Sequence, residues 1–296
     1  MPVARWLVIG GAGMLGRELT GLLDAAGTEA LALDRAELDI TDADAVVAAV
    51  DHHRPAVVVN CAAWTAVDEA EAHEAEALRI NGDGAANLAR ACAAANPDTR
   101  LVQISTDYVF DGQATAPYPE NAAPHPRTAY GRTKLAGERA VLDLLPARGY
   151  VLRTAWLYGE HGPNFVRTMI GLAAQRPTVD VVADQLGQPT WARDLAAHVI
   201  ALVGSGAPGG IYHGTNAGET SWYGLARQIF ALLELDPDRV RPAESAAVPR
   251  PAPRPAYSVL GHDRWITAGL PPMRDWRAAL AEAFPPLAAA ARPRRP

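Results

Sequence analysis

A glycine-rich turn between an apolar strand and a helix constrains this chain most strongly. The run 6–9 (WLVI) has the pattern of a short buried strand, and the segment Gly10 to Gly16 leads into a helix that extends to about Ala26. Glycines here permit a tight turn and a close backbone approach to a pyrophosphate, which the positive end of the helix dipole attracts. We predict that Gly10, Gly13 and Gly16 form part of a dinucleotide-binding site; strand–helix packing alone is the alternative.

The alternation of apolar strand and helix continues through the first 160 residues. Strands are predicted at 30–33, 56–59, 101–104 and 150–153, and helices at 43–53, 70–95 and 130–145. Strands that alternate with helices form a parallel sheet covered on both faces. The predicted fold class is therefore α/β, a Rossmann-type doubly wound parallel sheet.

The alternation breaks after Trp156, which indicates a second, smaller and mostly C-terminal substrate-binding domain. We predict a dinucleotide-binding domain over 1–155, to which 179–205 returns with a strand at 179–182 and a helix at 192–203. The substrate-binding domain then comprises 156–178 and 206–296.

The segment from Arg241 onward differs in charge and composition from the rest of the chain. It holds nine arginines against four acids, a net charge of +5 that leaves −11 for the remainder. Four prolines between 249 and 255 argue against regular elements there. This basic segment suits a ligand with phosphates, or it is a solvated tail.

Composition excludes several other classes of protein. The chain has 296 residues and a net charge of −6, which argues against a general nucleic-acid binder. No apolar run reaches the length of a membrane span, and the first residues lead directly into a strand, so we expect neither membrane insertion nor secretion. Two cysteines, Cys61 and Cys92, are too few for a disulfide framework, which fits a reducing cytoplasm. The eight histidines show no metal-ligand spacing, and no metal is predicted.

The only lysine of the chain, Lys134, follows a tyrosine at helical spacing. The other 26 of the 27 basic residues are arginines, so this lysine either occupies a place where a guanidinium cannot substitute or persists by chance. Tyr130 lies four residues earlier, on the same face of the predicted helix. An ammonium within about 5 Å stabilises a phenolate and lowers the pKa of the phenol from its usual value near 10. Tyr130 and Lys134 are therefore predicted catalytic residues.

Two strand ends supply further candidates. Thr106 follows the fourth strand, at the sheet edge where ligands bind, and its hydroxyl can donate to a carbonyl oxygen that gains negative charge. Asp34 ends the second strand about 20 residues beyond the glycine turn, where a carboxylate can accept a hydrogen bond from an adenosine ribose. Arg35 follows at once and could meet a 2′-phosphate instead. These two residues leave the choice between NADH and NADPH open.

Several blocks of the sequence resemble the extended short-chain dehydrogenases/reductases, and within them the dTDP-4-dehydrorhamnose reductases and related nucleotide-sugar 4-ketoreductases. The resemblance covers nearly the whole chain. The blocks that carry it are 60–68 (NCAAWTAVD), 105–112 (STDYVFDG), 130–138 (YGRTKLAGE), 153–156 (RTAW), 164–165 (NF), 184–190 (DQLGQPT) and 254–258 (RPAYS).

The resemblance implies a role for individual residues. It assigns Thr106, Tyr130 and Lys134 to catalysis, with Tyr130 and Lys134 also touching the cofactor. The other implied cofactor contacts are the pyrophosphate loop around Gly13, Met14 and Leu15, the adenine-flanking pair Asp39 and Ile40, and the middle segment Ala62, Ala63 and Trp64. The implied substrate contacts are Asp107 and Trp156 at the sugar, and Asn164 and Arg254 at the nucleotide diphosphate.

The implied reaction is reduction, by NADPH or NADH, of the C4 keto group of a dTDP-4-keto-6-deoxysugar. The leading candidate is conversion of dTDP-4-dehydro-L-rhamnose to dTDP-L-rhamnose. Alternatives are a dihydrostreptose synthase or another antibiotic deoxysugar 4-ketoreductase, and a non-catalytic NADP-binding regulatory subunit. A dehydratase is not expected. The resemblance implies that related sugar dehydratases carry a glutamate after the Thr-Asp pair, and this chain has Tyr108 at that position.

The chain differs at one position from similar proteins that bind magnesium at a dimer interface. Glu18 matches one of their glutamates, but Arg193 stands at the other, where a guanidinium would repel a cation. We therefore expect a monomer or a weak homodimer rather than a magnesium-bridged dimer.

Overall fold

The computed structural model describes residues 5–291; the predicted domain ends 1–4 and 292–296 lie outside this range. Within it the strands are β1 (Trp6–Ile9), β2 (Ala30–Leu33), β3 (Val57–Asn60), β4 (Arg100–Thr106), β5 (Gly149–Thr154), β6 (Leu157–Tyr158), β7 (Val179–Val182), β8 (Leu186–Gly187), β9 (Thr190–Trp191), β10 (Gly210–His213), β11 (Thr220–Ser221) and β12 (Val240–Ala243). The α-helices are α1 (Met14–Ala25), α2 (Ala43–His53), α3 (Val67–Ala70), α4 (Glu74–Leu78), α5 (Ala85–Ala94), α6 (Ala129–Leu144), α7 (Phe165–Gln175), α8 (Ala192–Gly204), α9 (Trp222–Leu232), α10 (Asp263–Thr267) and α11 (Trp276–Ala291).

Six strands form one parallel sheet in the order β10-β5-β4-β3-β1-β2. The chain reverses its direction across the sheet between β1 and β3, and a crevice opens at such a switch point beyond the carboxyl ends of the strands. The glycine turn follows β1 at this point. The α/β class and the doubly wound parallel sheet are confirmed.

Successive residues of the central strands face opposite sides of the sheet, and each side is packed by helices. Val8 and Val57 belong to the core that α1 and α8 cover, whereas Leu7 and Val58 belong to the core that α2, α5 and α6 cover. Burial on both faces explains why these strands are continuous apolar runs in the sequence.

The prediction that 179–182 returns to the main sheet is wrong, because β7 pairs with β12 in a separate two-stranded sheet. Val179 and Val181 are buried, whereas Asp180 is exposed and accepts a 2.8 Å hydrogen bond from Arg241. Because successive side chains of a strand point to opposite faces, this alternation buries one face of the pair and leaves the other in water. The strand that does join the main sheet is β10, which the domain boundaries had assigned to the substrate-binding part; the two-domain division itself remains a proposal.

Residues 249–255 form no helix or strand, as their prolines predict, but the rest of the region after Arg241 is regular. It begins in β12 and contains α10 and the long helix α11, inside which Pro285 and Pro286 lie. Phe284 and Leu287 are buried in a second core with α7 and α9. We attribute the survival of this helix to that burial, since proline alone disfavours a helix interior.

The predicted helix 70–95 is interrupted. It consists of α3, α4, a π-helical turn (Arg79–Gly84) and α5. Between residues 5 and 291 no helix is both long and apolar enough to cross a membrane.

Candidate active site

A cleft of about 1220 Å³ opens at the carboxyl edge of the main sheet. It extends from the glycine turn, past the ends of β4 and β5, to the segment before β8 and the loop after β12. The predicted site residues that line it are Gly13, Met14, Leu15, Ala63, Thr106, Asp107, Tyr130, Lys134, Trp156 and Arg254. Residues from distant parts of the chain thus meet in one cleft.

The glycine turn packs tightly against neighbouring backbone at the start of α1. Gly10 has φ +75°, and a Cβ there would lie 2.7 Å from the backbone nitrogen of Ala62. A Cβ on Gly16 would lie 2.5 Å from the carbonyl oxygen of Gly10. The first turn of α1, which begins at Met14 after the N-cap Gly13, contains no acidic residue. This arrangement fits the pyrophosphate of a dinucleotide, since an anion can approach the free backbone amides without competition.

The residues predicted near the adenosine lie beside the cleft rather than in its lining. One carboxylate oxygen of Asp34 accepts hydrogen bonds from the backbone amides of Ala36 (2.8 Å) and Glu37 (3.2 Å), and Arg35 is exposed. Asp39 accepts from the backbone and hydroxyl of Thr41, which lowers the pKa of its carboxyl group. The cofactor roles of Asp34, Arg35 and Asp39 remain predictions.

Ile40 and the segment 62–64 are fixed by buried asparagines that the sequence reasoning missed. Asn87 donates a 3.0 Å hydrogen bond to the Ile40 carbonyl oxygen. Asn81, in the π-helical turn, accepts from the Trp64 amide at 2.9 Å and donates to the Trp64 carbonyl at 3.1 Å. Of the segment, only Ala63 lines the cleft. The role of Asn81 could not be predicted from the sequence. It depends on the π-helical turn, which directs the side chain toward Trp64, and the spacing of apolar residues does not distinguish that turn from an α-helix.

Tyr130 and Thr106 lie together in the cleft. Burial raises the pKa of Tyr130 to about 12, and the nearby hydroxyl of Thr106 acts in the opposite direction. Thr106 also donates a 3.0 Å hydrogen bond to Asp107. Lys134 is not among the groups that act on the Tyr130 pKa in this structure, so the predicted lowering of that pKa is not observed here. Desolvation of the buried phenol is the largest effect on its pKa, and the ammonium of Lys134 is engaged elsewhere.

The ammonium of Lys134 is bound to the main chain of β4. The Lys134 ammonium donates a 2.6 Å hydrogen bond to the carbonyl oxygen of Ile104, and the side chain is 3% exposed. Burial lowers the pKa of Lys134 to about 8, with the carboxylate of Glu138 acting in the opposite direction. A compact ammonium fits this enclosed place better than a planar guanidinium, which explains why the position holds a lysine in an arginine-rich chain.

A buried ion pair lies behind this lysine and was not predicted. Arg153, on β5, donates from Nε (3.0 Å) and Nη2 (2.7 Å) to the Glu138 carboxylate, and both side chains are 1% exposed. Ser105 donates to the same carboxylate. The sequence contains both partners in its resemblance blocks, but pairing across 15 residues becomes visible only in the fold.

Asp107 is buried at the same edge. Burial raises the pKa of its carboxyl group to about 6, with the nearby hydroxyls of Ser258 and Thr106 acting in the opposite direction. Its Oδ2 atom has no hydrogen-bond partner within the described part of the chain. An unpartnered buried oxygen beside Thr106 fits the predicted contact with a sugar hydroxyl.

The predicted nucleotide contacts differ in their placement. Arg254 lines the cleft and is held by Asp68, whose carboxylate accepts from it at 2.7 Å. Asn164 lies outside the lining: it caps α7 by accepting from the Arg167 amide (3.1 Å) and donates to the Gly159 carbonyl oxygen (2.9 Å). Its amide is therefore used within the protein. Arg250, which was not predicted, lines the cleft near Arg254.

Glu18 and Arg193, the two positions compared with magnesium-binding relatives, form an ion pair in this structure. Arg193 Nη1 lies 3.5 Å from Glu18 Oε2. In the range 5–291 no three His, Cys, Asp or Glu residues cluster as a metal site would require. The described residues at this position do not fit a divalent cation, because the guanidinium already neutralises the carboxylate.

Comparison with known proteins extends these observations. Residues 4–288 match the family described as RmlD substrate binding domain. The chain is 59% identical to a dTDP-4-dehydrorhamnose reductase of Streptomyces griseus, over 97% of this chain and 95% of that protein. It is 55% identical to a probable dTDP-4,6-dihydroxy-2-methyloxan-3-one 4-ketoreductase of Streptomyces antibioticus, over 98% and 97% of the two chains. A crystal structure of dTDP-4-dehydrorhamnose reductase from Bacillus anthracis, in complex with NADP, matches with a TM-score of 0.91 and 37% identity over 95% and 98%.

A doubly wound parallel sheet with a glycine turn and a threonine, tyrosine and lysine in one cleft defines an oxidoreductase of the short-chain dehydrogenase/reductase class. Within that class, the chain belongs to the dTDP-4-dehydrorhamnose reductase family. The family predicted from the sequence blocks is confirmed.

Proposed function

We propose that the chain reduces the C4 keto group of a dTDP-4-keto-6-deoxysugar with NADPH or NADH. The observation that carries the proposal is the single cleft in which Thr106, Tyr130 and Lys134 accompany the glycine turn. The names of the two relatives at 59% and 55% identity, both reductases of this kind, support it.

In this proposal each side chain has one task at the reacting carbonyl. Bound reduced nicotinamide supplies the hydride. Tyr130 donates its phenolic proton to the C4 oxygen, and Thr106 donates a hydrogen bond to the same oxygen as negative charge develops there. Lys134, already fixed by Ile104, provides positive charge beside the phenol once its proton has left.

The charge of the cleft suits a nucleotide diphosphate. Arg250 and Arg254 both line it, and Asp68 holds Arg254 in place. A guanidinium offers paired donors to phosphate oxygens, and this one is preordered by its carboxylate partner. Asp107 would accept from a sugar hydroxyl.

Within this function we propose dTDP-4-dehydro-L-rhamnose as substrate and dTDP-L-rhamnose as product, as the name of the Streptomyces griseus relative suggests. The Streptomyces antibioticus relative favours a second candidate, reduction of a different 4-keto-6-deoxysugar. We also retain a cytoplasmic location as a proposal; it is supported by two free cysteines, Cys61 and Cys92.

The test supplies the purified chain with a dTDP-4-keto-6-deoxysugar generated in situ, and follows oxidation of NADPH and of NADH by absorbance. NMR of the product at C4 separates the two candidate substrates. Oxidation of either cofactor that depends on the sugar is the expected result. No oxidation with either, while the cofactor still binds, would favour a non-catalytic binding protein.

A further inference from the structure

Two tryptophans stack in the wall of the cleft. The indole rings of Trp156 and Trp222 have centroids 3.5 Å apart and planes inclined by 10°. Phe165 packs against Trp222, with ring centroids 4.6 Å apart and ring planes inclined by 51°. All three side chains line the cleft. Trp222 was absent from the residues predicted to bind cofactor or substrate.

Trp156 sits near the reacting centre in a strained backbone conformation. It follows Thr154, the register partner of Thr106 across β5 and β4, by two residues. Its φ is +47°, an uncommon value for a residue other than glycine. Such a conformation persists only where its surroundings hold it. The amide of Thr190 donates a 3.1 Å hydrogen bond to the Trp156 carbonyl, which fixes the main chain.

A second two-stranded pair, β8 with β11, contacts the indole of Trp156 on one side and leads to Trp222 on the other. Gly187, on β8, lies so close that a Cβ there would be 2.6 Å from Cε2 and Cζ2 of the ring. Gly187 pairs with Thr220, and Ser221 pairs with Leu186, so β11 leads directly from this contact to Trp222. Ser221 also caps α9 by accepting from Gly224 at 3.0 Å, which sets the direction in which Trp222 leaves the helix start.

We propose that Trp222 is a positioning residue, which fixes the indole of Trp156 against the sugar of the sugar nucleotide and thereby sets the affinity for that substrate. The inference rests on the proposed function. An aromatic wall suits a deoxysugar, because its C–H groups and its methyl group gain dispersion contacts and lose little solvation there. The stack is formed after β5 and at the start of α9, apart from the glycine turn after β1, so we expect dinucleotide binding at the turn not to depend on it.

The experiment compares Trp222→Ala, Trp222→Phe and Gly187→Ala with the wild type. Gly187→Ala displaces the Trp156 ring from the other direction while leaving Trp222 intact. Tyr223→Ala is the matched control, because Tyr223 is the next residue of α9 and does not line the cleft. Kinetics measure KM separately for the dTDP-4-keto-6-deoxysugar and for NADPH, and circular dichroism records the exciton couplet of the stacked indoles.

We expect Trp222→Ala to raise KM for the ketosugar about tenfold, with KM for NADPH unchanged and the couplet lost. Trp222→Phe restores most of the affinity without the couplet, and Gly187→Ala raises the ketosugar KM even though it folds with Trp222 in place. An unchanged ketosugar KM in Trp222→Ala or Gly187→Ala overturns the inference, as does an equal rise for both substrates. A wild type that fails to oxidise NADPH with the ketosugar instead overturns the proposed function and the inference with it.

Discussion

The ammonium of Lys134 donates a 2.6 Å hydrogen bond to the carbonyl oxygen of Ile104, two residues before Thr106 on the same strand. The end of β4 therefore binds the Lys134 ammonium and also carries the Thr106 hydroxyl. The helix that carries Lys134 also carries Tyr130, so strand β4 and helix α6 together fix all three predicted catalytic groups. This arrangement leaves little freedom for a larger cation.

Replacing Lys134 tests whether the place admits only a lysine. Lys134→Met should lower kcat about 10²-fold, because no cation then faces the phenolate. Lys134→Arg should also lower it more than about tenfold, since the guanidinium does not fit the buried site. Arg139→Lys, an exposed exchange on α6, is the control and should leave kcat unchanged. Wild-type turnover in Lys134→Arg would contradict this reading of the lone lysine.

The buried His213 and the half-buried His262 should make the fold sensitive to mild acid. Burial lowers the pKa of His213 to about 3 and that of His262 to about 4. Below their unfolded pKa near 6.5 the unfolded chain takes up protons that the folded chain does not. Stability is therefore lost as pH falls from about 6.5 to 4, by about 1.4 kcal/mol per pH unit for each fully effective group. Asp107, with its pKa raised to about 6, opposes this loss between about pH 6 and 4.

The measurement is the free energy of unfolding, from urea titrations between pH 5 and 7. His262→Gln should flatten its pH dependence relative to the wild type. His52→Gln, at an exposed position of α2, serves as control and should retain the wild-type slope. A slope that is the same in all three proteins would show that His262 does not contribute to acid sensitivity.

The buried pair of Glu138 and Arg153 should matter more than an exposed pair of similar geometry. Glu138→Ala leaves a guanidinium buried without its partner, which costs about 3–5 kcal/mol of unfolding free energy. Glu74→Ala removes the exposed partner of Arg132, also bonded at 2.7 Å, and should cost less than about 1 kcal/mol. Urea denaturation compares them; equal losses would contradict the role assigned to burial.

Magnesium should not change the oligomeric state. The carboxylate of Glu18 is paired with Arg193 at 3.5 Å, so a divalent cation finds no free anionic partner there. Light scattering after size exclusion should give the same molar mass in Mg²⁺ and in EDTA. A mass that doubles with Mg²⁺ and returns with EDTA would refute this expectation.

The parts of the site that depend on local sequence could be predicted. The glycine turn is a strand, a loop and a helix in succession, and Tyr130 and Lys134 share a helix face by their spacing alone. The edge strand β10 and the pairing of β7 with β12 could not, because they depend on contacts between residues some 60 positions apart.

The supporting side chains were missed for the same reason. Glu138, Asn81 and Trp222 act through partners on other elements, and none carries a spacing pattern of its own. Asn164, by contrast, was predicted from its sequence block to bind substrate. Its amide instead caps α7 and donates a hydrogen bond to the Gly159 carbonyl oxygen.

The proton donor is the centre of this account, and Tyr130→Phe tests it most directly. The substitution removes one hydroxyl from a buried ring and keeps the ring's packing against Tyr108. The measurement is the rate of NADPH oxidation with the dTDP-4-keto-6-deoxysugar, alongside NADPH affinity from fluorescence titration. We predict a rate at least about 10²-fold below the wild type with cofactor affinity retained. A variant that turns over at the wild-type rate would contradict the assignment of Tyr130 as the acid.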